Sequence, residues 1–361
     1  MHSSGSAAVS LSLVASATFY AWNGMSEGRN SQTRVAELDL LRQIRSRARN
    51  NAGVALGIGD DCALLRVRRG EEIAVTTDLS IDGRHFRVGW HPPEAIGHRT
   101  LARGLSDLAA MGARPLAAFI SLGLPKNLVK ATRGGRSWVS CFYDGLLALA
   151  DAHKTPLAGG DLAESPLALA DVVLVGAVPR GRALLRSAAK PGDAIYVTGA
   201  LGGSAAGLEK LADLGGSPPK QLRIPDRYSE LLRPHLYPQP RLAQGEWLRR
   251  RGIAAATIDL SDGLSTDLAH LCEESEVAAE VDSAAIPLGT GATLEQALHG
   301  GEDYELLFTA RAGKRVPADV AGVAITRIGR VVRRQRNRPQ IVLMSDRGAP
   351  ALETRGWQHF V

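Results

Sequence analysis

Five short acidic clusters recur along the chain, each set among glycines, small hydroxyl residues or the end of an apolar run. They read Gly59-Asp60-Asp61, Thr76-Thr77-Asp78, Ser106-Asp107, Gly159-Gly160-Asp161 and Asp259-Leu260-Ser261-Asp262. A carboxylate taken out of water without a partner is costly, so several of them converging from such settings require cations between them. Hard oxygen donors beside hydroxyls and bare backbone suit Mg²⁺ holding phosphates. These residue types therefore point first to metal-dependent phosphate chemistry. For any one Asp beside Gly or Ser, a turn or a helix cap is the competing role, and Asp262, just ahead of a helical pattern from Leu264, is open to it.

Composition narrows the partners. A chain of 361 residues exceeds the usual span of one core, so two domains are expected. Its 45% hydrophobic and 22% charged content belongs to an ordinary globular protein and excludes a fibrous or wholly disordered one. The net charge of +6 helps attract an anionic substrate but is too small over this length to argue for nucleic acid. Aromatics make up only 5% of residues, and no basic stripe interleaves with them for base stacking. Cys62, Cys141 and Cys272 lie far apart without CxxC spacing, which argues against zinc or a disulfide framework and fits a reducing cytoplasm.

The elements that must position the acids follow from pattern. Residues 1–30 differ in character from the rest and are expected to be a poorly ordered or mis-assigned extension with Met25 as an alternative start; the apolar stretch 7–22 is too short and weak to span a bilayer. Beyond it, strands are expected at 73–77, 116–124, 172–178, 194–198 and 256–260, and helices at 93–111, 138–153 and 264–274. Further strands are expected near 305–308, 325–332 and 341–344. Pro191-Gly192-Asp193 ends a basic stretch from Arg180 and reads as a hinge. The expected organisation is an α/β (α+β) protein with an N-terminal domain at 31–180 and a C-terminal domain at 181–361.

The motifs resemble a known family. Gly57-Ile58-Gly59-Asp60-Asp61-Cys62, Thr77-Asp78 with Gly83-Arg84-His85-Phe86, Leu105-Ser106-Asp107-Leu108-Ala109-Ala110-Met111-Gly112 and Gly159-Gly160-Asp161 are similar to those of thiamine-monophosphate kinases. So are Lys190-Pro191-Gly192-Asp193, Asp259-Leu260-Ser261-Asp262-Gly263 and Gly301-Glu302-Asp303-Tyr304-Glu305-Leu306, in the family's order. The resemblance implies the fold shared with aminoimidazole ribonucleotide synthetase and selenophosphate synthetase, with N-terminal sheets of two subunits joined in a barrel-like homodimer. It implies ATP as co-substrate, several Mg²⁺ ions, and phosphorylation of thiamine monophosphate to thiamine diphosphate, with no nucleic-acid or membrane partner. Another ATP-dependent synthetase of the superfamily and a non-catalytic nucleotide-binding protein are the alternatives. Cys62 reads as buried, unlike the reactive Cys that selenophosphate synthesis uses.

Roles carry over by that resemblance. Asp61, Asp78, Asp107, Asp161, Asp259 and Asp262 are implied Mg²⁺ ligands with Thr76 and Thr77 beside them, Asp107 and Asp161 being central to catalysis; Asp60 holds either the metal or the turn. Gly160, Asp161, Arg186 and Ser261 are implied nucleotide contacts, and His85, Glu302 and Trp357 thiamine phosphate contacts. A phosphate monoester with a second pKa of about 6 is already largely ionised near neutral pH, so no general base is required. After Asp161 the chain departs from the family by running Leu162-Ala163-Glu164-Ser165-Pro166, which removes expected hydroxyl and guanidinium groups. The loop Gly199-Ala200-Leu201-Gly202-Gly203-Ser204 reads as structural, and the arginines from Arg327 to Arg338 as a solvated strand face and turn.

Overall fold

Residues 37–49, 51–58, 62–130, 135–215, 222, 224–346 and 348–356 are described by the computed structural model. The first half runs α1 (Glu37–Arg47), β1 (Val54–Leu56), β2 (Leu64–Leu65), β3 (Glu71–Ile81), α2 (Pro93–Ala110), β4 (Arg114–Leu124), α3 (Lys126–Val129), α4 (Trp138–Ala152), β5 (Leu157–Glu164) and β6 (Leu169–Pro179). The second runs β7 (Ala194–Thr198), α5 (Gly203–Gly215), α6 (Ser229–Leu236), α7 (Leu242–Arg251), β8 (Ala254–Asp259), α8 (Leu264–Glu274), β9 (Val277–Asp282), α9 (Leu294–His299), β10 (Leu306–Ala310), β11 (Asp319–Val320), β12 (Val323–Arg333) and β13 (Ile341–Met344). The first-half sheet has the order β3-β6-β4-β5, parallel only between β4 and β5. The second has the order β13-β9-β12-β7-β10-β8, with β11 beside β12 and only β13 and β9 parallel. No helix among the described residues is long and apolar enough to cross a membrane.

The element that joins these layers is α2. Pro93 starts it, where a missing N–H is harmless. Gly112, left-handed at φ +62°, ends it: Ala113 N–H reaches Leu108 and Gly112 N–H reaches Ala109 in a Schellman turn. Fourteen of its 18 residues are buried, because it touches β3, β6, α4, α7 and β8 at once. Leu101, Leu105 and Leu108 share a core with Leu122, Leu174, Leu242 and Phe308, so residues of both sheets close on this helix. A second core around Leu264, Leu268 and Leu271 seats α8 on the larger sheet.

Alternation along β3 divides its two faces. Thr76, Asp78 and Ser80 turn toward α2, while Ile73, Val75 and Leu79 are left 56%, 62% and 47% exposed on the other side. Sequence periodicity placed the middle of this strand but shortened it, because Thr, Asp and Ser at its end carry no apolar signal. Residues Leu162–Glu164, expected in a loop, complete β5, where cross-strand pairing to β4 overrides two glycines. The helix α6 went unpredicted because Pro234 lies inside it. The exposed arginines Arg327, Arg330 and Arg333 do follow the outward positions of β12.

Close packing of α2 on α4 yields a test. A Cβ at Gly97 would lie 1.9 Å from the Phe142 carbonyl oxygen, and one at Gly145 would lie 1.8 Å from that of Glu94. Backbone cannot retreat as a side chain can. Gly145→Ala should therefore cost about 1–3 kcal/mol in chemical denaturation, whereas Ala152→Ser, at the exposed end of α4, should cost little; equal effects would disprove the close approach.

Candidate active site

Four separated segments meet at one cavity of about 720 Å³. Strand β3 delivers Asp78, α2 delivers Asp107 and Arg103, the β8–α8 turn delivers Asp259, Ser261 and Asp262, and the segment before β10 delivers Glu302 and Tyr304. The loop after β3 adds His85, Phe86 and Trp90, while Ser204 and Leu208 of α5 face them. One end is thus acidic, and the other sets the aromatic rings of Phe86 and Trp90 beside Glu302 and the exposed Arg84 and Arg87.

The acidic end holds more negative charge than it neutralises. Ser106 Oγ donates to Asp259 at 2.8 Å, Thr76 Oγ1 donates to Asp107, and Arg103 donates to Asp78 at 3.2 Å. Burial, then the charge of Asp107, pushes Asp259 up to about 7. Burial likewise raises Asp107 and Asp78. Hydroxyls beside crowded, under-satisfied carboxylates form a hard-oxygen set that fits a divalent cation such as Mg²⁺. Arg186 is exposed, yet its charge pulls the Asp107 and Asp259 values down, so it acts on this cluster from outside the cavity wall.

Backbone anchors set the turn. Asp267 Oδ2 accepts the N–H groups of Ser261, Asp262 and Gly263 at 3.0–3.1 Å, so Asp267, not Asp262, ties the start of α8. The cap residue is Gly263 and uses no side chain, and Asp262 lines the cavity. Asp303 accepts from Gly202 N–H at 2.7 Å and Ser204 N–H at 3.1 Å, so the glycine loop after β7 binds the protein's own carboxylate, in keeping with a structural loop.

At the other end, Glu302 sits at φ +66° and Tyr304 at φ +51°, left-handed conformations that side chains adopt only under constraint. Arg99 supplies the constraint, donating to Glu302 at 2.6 Å. Burial pushes the Glu302 carboxyl upward, but Arg99 and Arg103 outweigh it and hold the group below its ordinary value. Behind Arg99, His235 contacts Ser204 Oγ at 3.0 Å and His91 at 3.0 Å, and burial keeps both imidazoles neutral, His91 at about 3. His85 Nδ1 accepts the Ile81 N–H at 3.1 Å, which aims its ring along the cavity wall.

Asp78, Asp107, Asp259, Asp262, Ser261, His85 and Glu302 therefore converge, and Thr76 stands behind Asp107. Four expected residues do not join them within one chain, and Arg186, outside the cavity wall, is the first. Gly160 and Asp161 line a separate cavity of about 400 Å³ with Phe119 and Tyr143, and Asp161 pairs in register with Ser121 on β4. The Thr77 side chain falls on the outer face of β3 by alternation. Cys62, read as buried, is exposed at the rim of that second cavity, in the β1–β2 connection where no core covers it. Asp61 and Trp357 lie outside the described residues. Sequence reasoning missed Arg99 and Arg103; the steps of four from Arg99 to Arg103 and from Arg103 to Asp107 were the available signal.

Linkage gives the acidic cluster a sign. The Asp259 carboxyl ordinarily titrates at 3.8 and is raised to about 7 in the fold, so its proton stabilises the folded state fully below about pH 4 and not above about pH 7. In metal-free buffer the melting temperature of the native protein, relative to Asp259→Asn, should fall as pH rises from 5 to 8. A difference that does not change with pH would show that Asp259 is not crowded.

Comparisons with known proteins identify the family and the fold. The family AIR synthase related protein, N-terminal domain, matches residues 59–178, and its C-terminal domain matches residues 190–342. A thiamine-monophosphate kinase of Escherichia coli K12 is 38% identical over 339 residues, covering 90% of this chain and 98% of that protein. The crystal structure of thiamine-monophosphate kinase from Stenotrophomonas maltophilia is 39% identical with a TM-score of 0.72, over 85% of this chain and 96% of that one. A structure of AaThiL complexed with AMPPCP and TMP is 30% identical with a TM-score of 0.69, over 92% and 100%. With identity of this order sustained across both domains and nearly the full length of its relatives, the chain belongs to the thiamine-monophosphate kinase family and has the two-domain AIR synthase related fold.

Proposed function

We propose that this protein transfers the γ-phosphoryl group of ATP to thiamine monophosphate, giving ADP and thiamine diphosphate. The observation that carries this reading is the convergence of Asp78, Asp107, Asp259 and Asp262 on one cavity whose far end offers His85, Glu302 and aromatic surface. A relative bound to AMPPCP and TMP supports it. Two polyanions meeting at about 4 Å repel by roughly 4 kcal/mol per charge pair at an effective dielectric of 20. The excess carboxylate charge suits a site where cations separate them.

Asp78, Asp107, Asp259 and Asp262, with Thr76 in support, are the residues that would hold Mg²⁺. The bound ions would neutralise and align the phosphates for in-line transfer. The protein's own part is positioning. The ionised Glu302 carboxylate faces the cationic thiazolium, and Trp90 and Phe86 give a flat pyrimidine an apolar wall. Ser261, and Arg186 from the connection between the sheets, take the nucleotide phosphates in this reading. We set the domain boundary in that connection, between 180 and 193.

Assembly completes the proposal. Asp161 shares a sheet face with Ser121, Asp171 and Leu79 by strand register, the same face that exposes Ile73 and Val75. An apolar edge strand of this kind is a pairing surface. A homodimer joined there would cover it and bring Gly160 and Asp161 of one subunit toward the nucleotide of the other.

Purified protein with ATP, Mg²⁺ and thiamine monophosphate should yield thiamine diphosphate, and free thiamine should not serve as acceptor; product from thiamine alone would redirect the assignment. Asp107→Asn should lower kcat by about 10²–10³-fold without lowering the melting temperature, since it relieves buried repulsion. Wild-type activity in that variant would remove Asp107 from the site. Val75→Asp should convert a species of twice 38.3 kDa into a monomer in light scattering and abolish activity; an active monomer would refute the shared-site arrangement.

A further inference from the structure

Three residues of α2 spaced by four, Arg99, Arg103 and Asp107, form one stripe, of which Arg103 and Asp107 line the cavity. Arg99 is fully engaged: it binds Glu302, the His235 carbonyl and, at 3.4 Å, the His85 carbonyl. Arg103 is not. Its Nη2 donates to Asp78 at 3.2 Å, its Nη1 stands 3.8 Å from Glu302, and its Nε is buried with no hydrogen-bond partner. A guanidinium offers five N–H donors, and leaving buried ones idle is costly unless a ligand takes them. Of the three arginines lining the cavity, Arg84 and Arg87 are exposed, and Arg103 alone is withdrawn into the wall, 17% exposed.

Its place matches one part of the substrate. Glu302 and His85 mark the end of the cavity suited to the thiamine rings, and Asp78 and Asp107 mark the end where phosphates meet cations. The phosphate monoester of the acceptor must lie between them, and Arg103 is the group that spans these two ends. We infer that Arg103 binds the acceptor phosphate, its planar fork turning idle N–H donors onto the monoester oxygens and distinguishing phosphorylated from free thiamine. This inference rests on the kinase reading above and adds to it a residue that selects the phosphorylated acceptor.

A structural brace for Glu302 is the competing role, and the two separate by ligand. Calorimetry with Mg²⁺ and no ATP would compare thiamine monophosphate with thiamine, the latter by competition where it binds weakly. Arg103→Gln should weaken thiamine monophosphate about 10–100-fold, the loss expected for a charged hydrogen bond, and leave thiamine within about twofold. The KM for thiamine monophosphate should rise in parallel while that for ATP stays fixed. Arg103→Lys keeps a cation between Asp78 and Glu302 but loses the fork, and should show the same selectivity with a smaller loss; it carries the comparison if the Gln variant does not fold. Equal weakening of both ligands, or of neither, overturns the role. Wild-type protein that fails to phosphorylate thiamine monophosphate would instead sink the kinase reading, and this inference with it.

Discussion

Crowding of like charge in a partly dry cleft is the constraint on which the rest of this structure depends. Burial is the largest cause that raises Asp78, Asp107 and Asp259, and like charge adds to it: Asp78 acts on Asp107, and Asp107 and Asp78 act on Asp259. A fold gains nothing from such an arrangement by itself: each of these carboxylates, left ionised, opposes folding. Their retention makes sense when the compensating charge arrives with the ligand, so the binding energy of cations and phosphates is partly set by repulsion already present in the empty cleft.

Holding repelling groups in place requires a frame that cannot relax, and α2 provides it. The helix is enclosed by both sheets and by α4 and α7, with glycines where backbone passes against backbone. Its polar stripe is therefore displayed from the best-packed part of the molecule. The same helix carries both signs of charge along one line: Arg99 and Arg103 toward Glu302, Asp107 toward Asp259. A single rigid element thus presents Arg103 and Asp107, of opposite sign, to the same cavity.

Much of this was legible before any coordinates. The strands and helices around Leu101, Val172, Ile195 and Leu268 announce themselves by apolar period, and the acids by their neighbours. What escaped did so for identifiable reasons. Strand β5 holds two glycines and an Asp, a composition that reads as loop until pairing with β4 is known. The outward direction of Thr77 follows from strand alternation, but the continuous apolar run Ile73-Ala74-Val75 does not say which face of β3 is covered. Arg99 and Arg103 gave no signal of their own, because nothing in one sequence says that both faces of α2 are covered.

The structure also separates two kinds of acid that the sequence presents alike. Asp267 accepts three backbone N–H groups, Asp303 accepts two, and Asp193 takes the Lys190 N–H and the Arg311 guanidinium. Their lone pairs are spent on fixing turns. Asp107 and Asp259 each receive a single hydroxyl, and Asp78 a single long contact from Arg103. A carboxylate has room for about four hydrogen bonds, so this second group retains oxygen capacity directed at the cavity. Both kinds include buried members, Asp193 and Asp267 in the first and Asp259 in the second, and a small neighbour does not sort them, since Asp193 follows Gly192 and Asp107 follows Ser106. The count of donors already satisfied, not burial or neighbouring residues, is what distinguishes an acid that shapes the site from one that is free to bind there.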